Sequence, residues 1–447
     1  MKKNEKLPVV NPRSAGIDVG SRTHMVAIGQ NAVDVREFGV YSQDLESLCS
    51  WLIENKISSI AMESTGSYWK VLFDTLQSKG FEVILVNGQQ TKNLKGRKTD
   101  IQDCQWIQKL HSLGLLSGSF LPDYFTEQLR TYFRHRQYLL EQAASYIKKM
   151  QKSLRLLNIR LDIAINDITG HSGQDIIRAI LNGERNAAVL ASLANSRIKK
   201  SKEELKKALT GNWRDDHLYE LKDCFEMYHV FHEKIDCCDT QIEQFIQQEL
   251  GSMDAHGIKA PEVKTKKKAN KNSPKFDVRT LGYYLHNGVD LMEIEGVSHS
   301  TLLCFMAEVG NNIHKFPTGN QFVSWLRLNP NRKISGGKVL SSHTQKGSNM
   351  LSSALKRAAN VIGNLNDGAL AHFFKRIAYC KGRMAAIVAT ARKLAVIIWN
   401  MMVKKLPYNP IETENYQKQI RLKQIKALEK KIRKMEIRPH EINFAIT

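Results

Sequence analysis

Apolar and polar positions change period along this chain, and the changes mark its elements. In the first quarter, Gly16–Val19, His24–Ile28 and Val35–Val40 are short apolar-rich runs separated by tight turns, the pattern of three adjacent strands. Asp44–Asn55 then repeats Leu45, Leu48, Leu52 and Ile53 on one helical face. Ser58–Met62 reads as a strand ending at Glu63, Tyr68–Ser78 as a helix, Val83–Val86 as a strand and Thr99–Leu113 as a third helix. Strands that give way to α/β alternation predict an α/β domain with one sheet.

A longer period begins at Phe125. Leu129, Phe133, Leu140, Ala143, Ile147, Met150, Leu154, Leu157 and Leu161 form a heptad-like stripe, broken where Arg136 sits in the seam. Asp167 to Leu209 reads as shorter helices, and Asp216–Leu250 as a second long helix able to pair antiparallel with the first. Gly251–Arg279 loses its apolar positions and reads as a flexible basic linker. A mostly helical region follows, with helices over Ser300–Glu308, Phe316–Leu328, Leu351–Leu365 and Met384–Val403. The tail, Ile411–Arg438, is a charged helical pattern without a wide apolar face, expected to order on binding. The expected domains are 1–122, 123–250, a linker at 251–280, 281–407 and a basic tail at 408–447.

Composition adds a partner. The chain has 447 residues, 42% hydrophobic and 25% charged, as in a soluble globular protein, but its net charge is +22. That excess points to a polyanion, nucleic acid before an anionic membrane surface. Arg130, Arg134, Arg136, Lys148, Lys149, Lys152, Arg155 and Arg160 line the other faces of the first long helix. They read either as a solvated basic face or as contacts to a nucleic-acid backbone. The N-terminus lacks an apolar signal region, and Ala385–Val403 is interrupted by Arg392 and Lys393, so no membrane association is expected and the location is cytoplasmic, at the nucleoid of a prokaryote. Seven cysteines without a C-x-x-C pair read as free thiols. Cys224, His229, His232, Cys237 and Cys238 would spread around one helix and do not make a zinc site.

Four carboxylates carry the candidate chemistry. Asp18 lies in A-G-I-D-V-G-S, Glu63 in I-A-M-E-S-T-G, and Asp100 and Asp103 in G-R-K-T-D-I-Q-D-C. Two end strand-like runs, and two share a helix face three residues apart. Singly, each is an ordinary turn or cap residue. Together, in this order among these elements, they suit an RNase H-like (RuvC-like) sheet whose strand ends gather acids around Mg²⁺ or Mn²⁺, with ions about 3.5–4 Å apart. Ser335, in R-K-I-S-G-G-K, is the second candidate. Two following glycines give it backbone freedom, and Arg332, Lys333 and Lys338 could hold an attacked phosphodiester. The same segment also reads as a phosphate loop or a plain turn.

These segments resemble the DEDD-type insertion-sequence transposases, relatives of the Piv and MooV invertases, among which are bridge-RNA-guided recombinases. The N-terminal likeness lies in G-I-D-V-G-S-R-T-H, A-M-E-S-T-G-S-Y-W and V-N-G-Q-Q-T-K-N-L-K-G-R-K-T-D-I-Q-D-C. The C-terminal likeness lies in A-E-V-G-N-N-I-H-K-F, L-N-P-N-R-K-I-S-G-G-K, T-Q-K-G-S-N-M-L and A-R-K-L-A-V-I-I-W-N-M-M. The resemblance implies that Asp18, Glu63, Asp100 and Asp103 are catalytic and bind Mg²⁺, and that Ser335 attacks DNA to form a phosphoserine link. It further implies a homo-oligomer, dimer or tetramer, whose two sites combine across subunits. A structured non-coding RNA would pair with donor and target DNA. The chain departs from the family at Glu295 and Ser298, where a P-G-I-G-like hairpin is usual, at Asn311 in E-V-G-N, and at Ser352. The insert 264–275 matches no family role.

Two other readings compete. In one, the protein is a junction nuclease in which the acids cut with water and Ser335 is structural. In the other, it is a non-catalytic nucleic-acid-binding assembly protein, which the presence of all four acids disfavours.

Overall fold

A computed structural model describes residues 8–91, 99–252, 263, 267–347 and 349–410, with Lys418, Arg421, Leu422, Ile425, Lys426, Leu428 and Glu429. The run at 92–98, the segments 253–262 and 264–266, Ser348 and most of the tail from Ile411 lie outside the described residues. The chain forms two compact units, Met1–Leu121 and Pro122–Thr447.

The first unit is built on strands β1 (Ser14–Val19), β2 (Thr23–Ala27), β3 (Val35–Gly39), β4 (Ser59–Glu63) and β5 (Glu82–Val86). Helix α1 (Ser42–Glu54) precedes β4, α2 (Trp69–Ser78) precedes β5, and α3 (Gly88–Thr91) and α4 (Asp100–Ser112) follow it. The sheet order is β3-β2-β1-β4-β5, with β1 antiparallel to β2 and parallel to β4. This is the RNase H-like arrangement expected from the order of elements. Strand alternation divides the work of each face. Ala15, Ile17 and Val19 of β1 and Ile60 and Met62 of β4 join Leu45, Leu48 and Leu52 of α1 and Leu72 and Leu76 of α2 in one apolar core. Each such fully buried leucine stabilises by about 1.5–3 kcal/mol. Ile53, expected on the core face of α1, is 57% exposed.

The opposite face of β1 takes α4. A β-carbon on Gly16 would overlap the backbone of Cys104 and Gln108, so the helix lies directly on the strand. Thr99 caps α4 by accepting the Gln102 amide at 3.3 Å.

In the second unit, α5 (Tyr124–Leu156) and α10 (Asp215–Ser252) form an antiparallel hairpin. Phe125 stacks on Phe245 at 5.0 Å, and further along Tyr146 meets Phe231 at 5.5 Å. The stripe on α5 therefore finds its partner within the same chain. Leu129, Phe133, Ala143, Met150 and Leu154 are buried, while Leu139 rather than Leu140 fills the core and Ile147 is half-buried. The helix stops short of Leu161 because Asn158 adopts a left-handed conformation, φ 56°. Between the long helices lie α6 (Leu161–Ala164), α7 (His171–Leu181), α8 (Ala187–Ser192) and α9 (Lys202–Ala208). All seven cysteines are free, and the Cys/His group on α10 gathers no metal set among the described residues.

Arg136 corrects the sequence reading. It is not a surface contact for nucleic acid but is 1% exposed inside the hairpin. Its guanidinium donates to both carboxylate oxygens of Asp239, at 2.5 and 3.1 Å, and to the Asn272 carbonyl at 3.2 Å. The basic linker is corrected in the same region: from Lys267 it is docked as a strap. Lys275 donates through its backbone amide to Asp239 and through its ammonium to Asp236. Lys271 reaches the Thr169 carbonyl at 3.1 Å. Lys267 donates to the carbonyls of Ile294 and Val297 at 2.6 and 3.0 Å.

The strap leads to α11 (Val278–Leu285), α12 (His299–Glu308), α13 (Gly319–Trp325), a ribbon of β6 (Lys333–Ser335) and β7 (Lys338–Ser341), then α14 (Met350–Ile362), α15 (Ala369–Lys381) and α16 (Arg383–Lys404). Helix α16 is long and apolar enough to cross a membrane by length and composition. Yet Ala391, Leu394, Ala395, Ile398 and Met402 are buried, as in the core helix of a bundle.

Removing one partner of a buried pair strands the other charge, at a cost of about 3–5 kcal/mol. Arg136→Met should lower stability by that amount in urea denaturation, and Arg136→Met with Asp239→Leu should recover most of it; equal losses in both variants would show the pair to be unimportant.

Burial pushes Lys267 down to about 8, with Arg279 adding to the effect and Glu295 and Asp290 opposing it. A lysine whose folded pKa lies below its unfolded value disfavours folding while charged, and that penalty fades as pH rises from about 8 to 10.5. The stability of wild type relative to Lys267→Met should therefore increase across this interval, and a pH-independent difference would contradict the assignment.

Candidate active site

Register and alternation put all four sequence-predicted acids on one side of the sheet. Ile17 pairs with Met62 across β1 and β4, so Asp18 and Glu63 occupy the next register position on strands about 4.8 Å apart. Both fall on the alternate face from the apolar core, the face that Gly16 offers to α4. Asp100 and Asp103 lie in the first turn of that helix. The helix N-terminus favours acids there, which is a structural reason for their presence beside the chemical one. The Cys104 thiol is pushed up to about 12, chiefly by burial, with the charges of Asp18 and Asp103 contributing, so this buried thiol lies near both a strand acid and a helix acid.

Glu63 is held by residues that spacing did not single out. Thr91 is buried and donates its hydroxyl to Glu63 Oε2 at 2.9 Å. The Trp106 indole of α4 donates to the Thr91 carbonyl at 3.1 Å. Gly88 leaves the space that the carboxylate fills, since a β-carbon there would overlap Glu63 Oε1. Four carboxylates are the hard-oxygen donor set of Mg²⁺ or Mn²⁺. Among the described residues, however, no three His, Cys, Asp or Glu side chains are gathered closely enough to hold an ion.

The serine lies in the second unit. Gly336 and Gly337 have φ of 55° and 74°, the pair of left-handed residues that a two-residue hairpin turn requires. The glycines thus have a structural necessity, and the turn leaves Ser335 exposed, opposite Lys338. Lys333 shares the face of Ser335, and Arg332 stands just before the ribbon. Among the described residues none of these three cations is paired with an acid. Asn331 donates its amide to the His343 carbonyl at 2.8 Å to close the base of the ribbon. From α16, Arg392 reaches Asn329 at 3.0 Å and Asn320 at 3.4 Å, a hold for which A-R-K-L gave no signal. Ser341 and Ser342, the other described serines of this segment, neither precede a glycine pair nor sit at the turn.

Arg130 and Arg134 are both committed. Glu308, 2% exposed on α12, accepts the Arg134 guanidinium at 3.0 and 3.1 Å, and Arg130 donates to its carbonyl at 2.8 Å. Burial lowers the Arg130 pKa, and Glu308 opposes that. These two arginines weld α5 to α12, and Arg134 alone keeps half its side chain in solvent.

An RNase H-like sheet with acids on the face under one helix, and a basic ribbon carrying an exposed serine, suit an enzyme that acts on nucleic-acid phosphodiesters. A DEDD transposase family model matches residues 15–159, and the model of the transposase IS116/IS110/IS902 family matches residues 290–374. The chain belongs to this IS110-type family of insertion-sequence transposases and is a DNA recombinase. No curated protein matches it.

The crowding at Gly88 involves only the end of a flexible side chain, whereas that at Gly16 involves backbone. Gly88→Ala should leave stability within about 1 kcal/mol and displace Glu63, reducing the rise in thermal midpoint on adding Mg²⁺. Gly16→Ala should unfold the first unit. An unchanged Mg²⁺ response in folded Gly88→Ala would show that Glu63 is no ligand of that ion.

Proposed function

We propose that this transposase cuts and rejoins DNA through Ser335, with Asp18, Glu63, Asp100 and Asp103 holding Mg²⁺ or Mn²⁺, under the guidance of a structured non-coding RNA that pairs with donor and target DNA. The reading is carried by the ribbon turn: its two left-handed glycines set Ser335 in the open, opposite Lys338. Attack by the serine oxygen forms one P–O bond as a deoxyribose oxygen leaves. The serine proton is released and the departing oxygen takes one up. The DNA stays linked as a phosphoserine ester, which a DNA hydroxyl then attacks to restore a phosphodiester and free the serine. Lys333, Lys338 and Arg332 would stabilise charge on the attacked phosphate. A divalent ion held by the acids would neutralise charge on a phosphate brought to it and draw together carboxylates that otherwise repel. Guide RNA and a homo-oligomer come from the family resemblance, and the +22 charge supports a large polyanionic partner.

Ser335→Ala should bind RNA and DNA as wild type does and yield no covalent adduct on denaturing gels. Asp18→Ala should keep its fold and lose recombination. An adduct that persists in Ser335→Ala, or that maps to another residue, refutes the serine. Cleavage by Ser335→Ala without any adduct would instead make water the nucleophile, as in a junction nuclease.

A further inference from the structure

The ribbon that carries Ser335 has a second face to which the proposed chemistry gives no role. Ile334 pairs with Val339, on the side away from Ser335, Lys333 and Lys338. Their exposures are 61% and 56%, and Leu340 beside them is 70% exposed. Leu340 is an extra residue in β7: Ile334 pairs with Val339 but Lys333 pairs with Ser341, so a bulge sharpens the local twist. A lone two-stranded ribbon is marginally stable in water, and three large aliphatic side chains on such an element call for a partner. Among the described residues it is tied down at its base, where the Pro330–Thr344 bridge and the Asn331–His343 hydrogen bond close the two arms, Arg392 holds Asn329 and Arg327 holds the Lys346 carbonyl.

The two faces suit the two sides of an opened duplex. The Ser335 face is polar and cationic, matching the backbone of one strand. Within the paired strands the Ile334–Val339 face is aliphatic, matching the flat surface of a base pair that has lost its stacking neighbour. Apolar side chains are known to replace stacking at a disrupted base step. A second copy of the chain is the competing occupant of the apolar face.

We propose that the β6–β7 ribbon is a strand-separating pin: Ile334 and Val339 pack on the terminal base pair of a locally opened DNA duplex while the cleaved strand runs over the opposite face, past Ser335. The pin rests on the reading of Ser335 as the residue that meets DNA, and adds a preference for DNA already frayed at the attacked position. Opening the step is unfavourable, a penalty that an unpaired or mismatched site does not impose.

The test is binding of fluorescently labelled DNA, fully paired or carrying one unpaired end, with 2-aminopurine at the fork. Wild type should prefer the forked DNA by roughly tenfold, about 1.4 kcal/mol, and should alter 2-aminopurine emission. Ile334→Ser with Val339→Ser should lose the preference while paired DNA binds within about twofold, since both side chains are outside the core. Ile334→Leu with Val339→Leu should restore it. Ser335→Ala should keep the preference, so an adduct surviving in that variant would overturn the nucleophile and leave the pin intact. No preference in wild type, or one that survives the double serine change, would overturn the pin. So would a change in the sedimentation of the DNA-free protein on that double change, because a second copy would then be the occupant.

Discussion

Asp239 is 2% exposed and needs a cation, and much of the second unit is arranged around supplying one. Arg136 provides it from the facing helix, and the strap closes over both through the Asn272 carbonyl and the Lys275 amide. A buried ion pair is a poor source of net stability, because desolvation offsets the attraction. It is a strong source of register, since a slip of one turn between α5 and α10 would leave two charges without partners in apolar surroundings. The aromatic contacts on either side, Phe125 with Phe245 and Tyr146 with Phe231, follow that register.

The same economy of charge extends to α12. Glu308 is buried, and Arg130 and Arg134 converge on it from α5. The long helix is thereby bound on one side to α10 and on the other to the bundle that supports the ribbon. A basic helix in a strongly basic protein invites assignment to nucleic acid, yet three of its arginines serve packing first. The cations left for a polyanion are those without such obligations, among them Arg332, Lys333 and Lys338 at the ribbon.

In the first unit the governing constraint is the closeness of α4 to β1. Gly16 admits the helix, and that contact sets the first turn of α4, with Asp100 and Asp103, over the face that Asp18 and Glu63 share. Glu63 is aimed by a relay from Trp106 through Thr91, so the helix that carries two acids also orients the third. The serine occupies the contrary environment, on a ribbon tip with little packing. Acids of like charge need a stiff scaffold to be held near one another, whereas a serine that is to meet a large partner depends on exposure.

Features that depend on near neighbours are legible in the order of residues. The alternation of apolar residues determined the strands and, with their order, the RNase H-like sheet; the spacing of three and four determined the long helices; the placement of Asp18 and Glu63 on strands and of Asp100 and Asp103 at a helix start was legible because these are local features. The turn at Gly336 and Gly337 was legible too, although its glycines serve the backbone before the serine. Tertiary structure alone decided the partners. Arg136 reads as exposed until Asp239, 103 residues away, meets it. The strap reads as loose because its lysines find carbonyls and carboxylates on elements far along the chain. Thr91, Trp106 and Arg392 carry no local signature, since a hydrogen-bonding side chain is defined by what faces it. Periodicity arises from residues three or four apart, but burial of a charge is settled only when distant segments exclude water together.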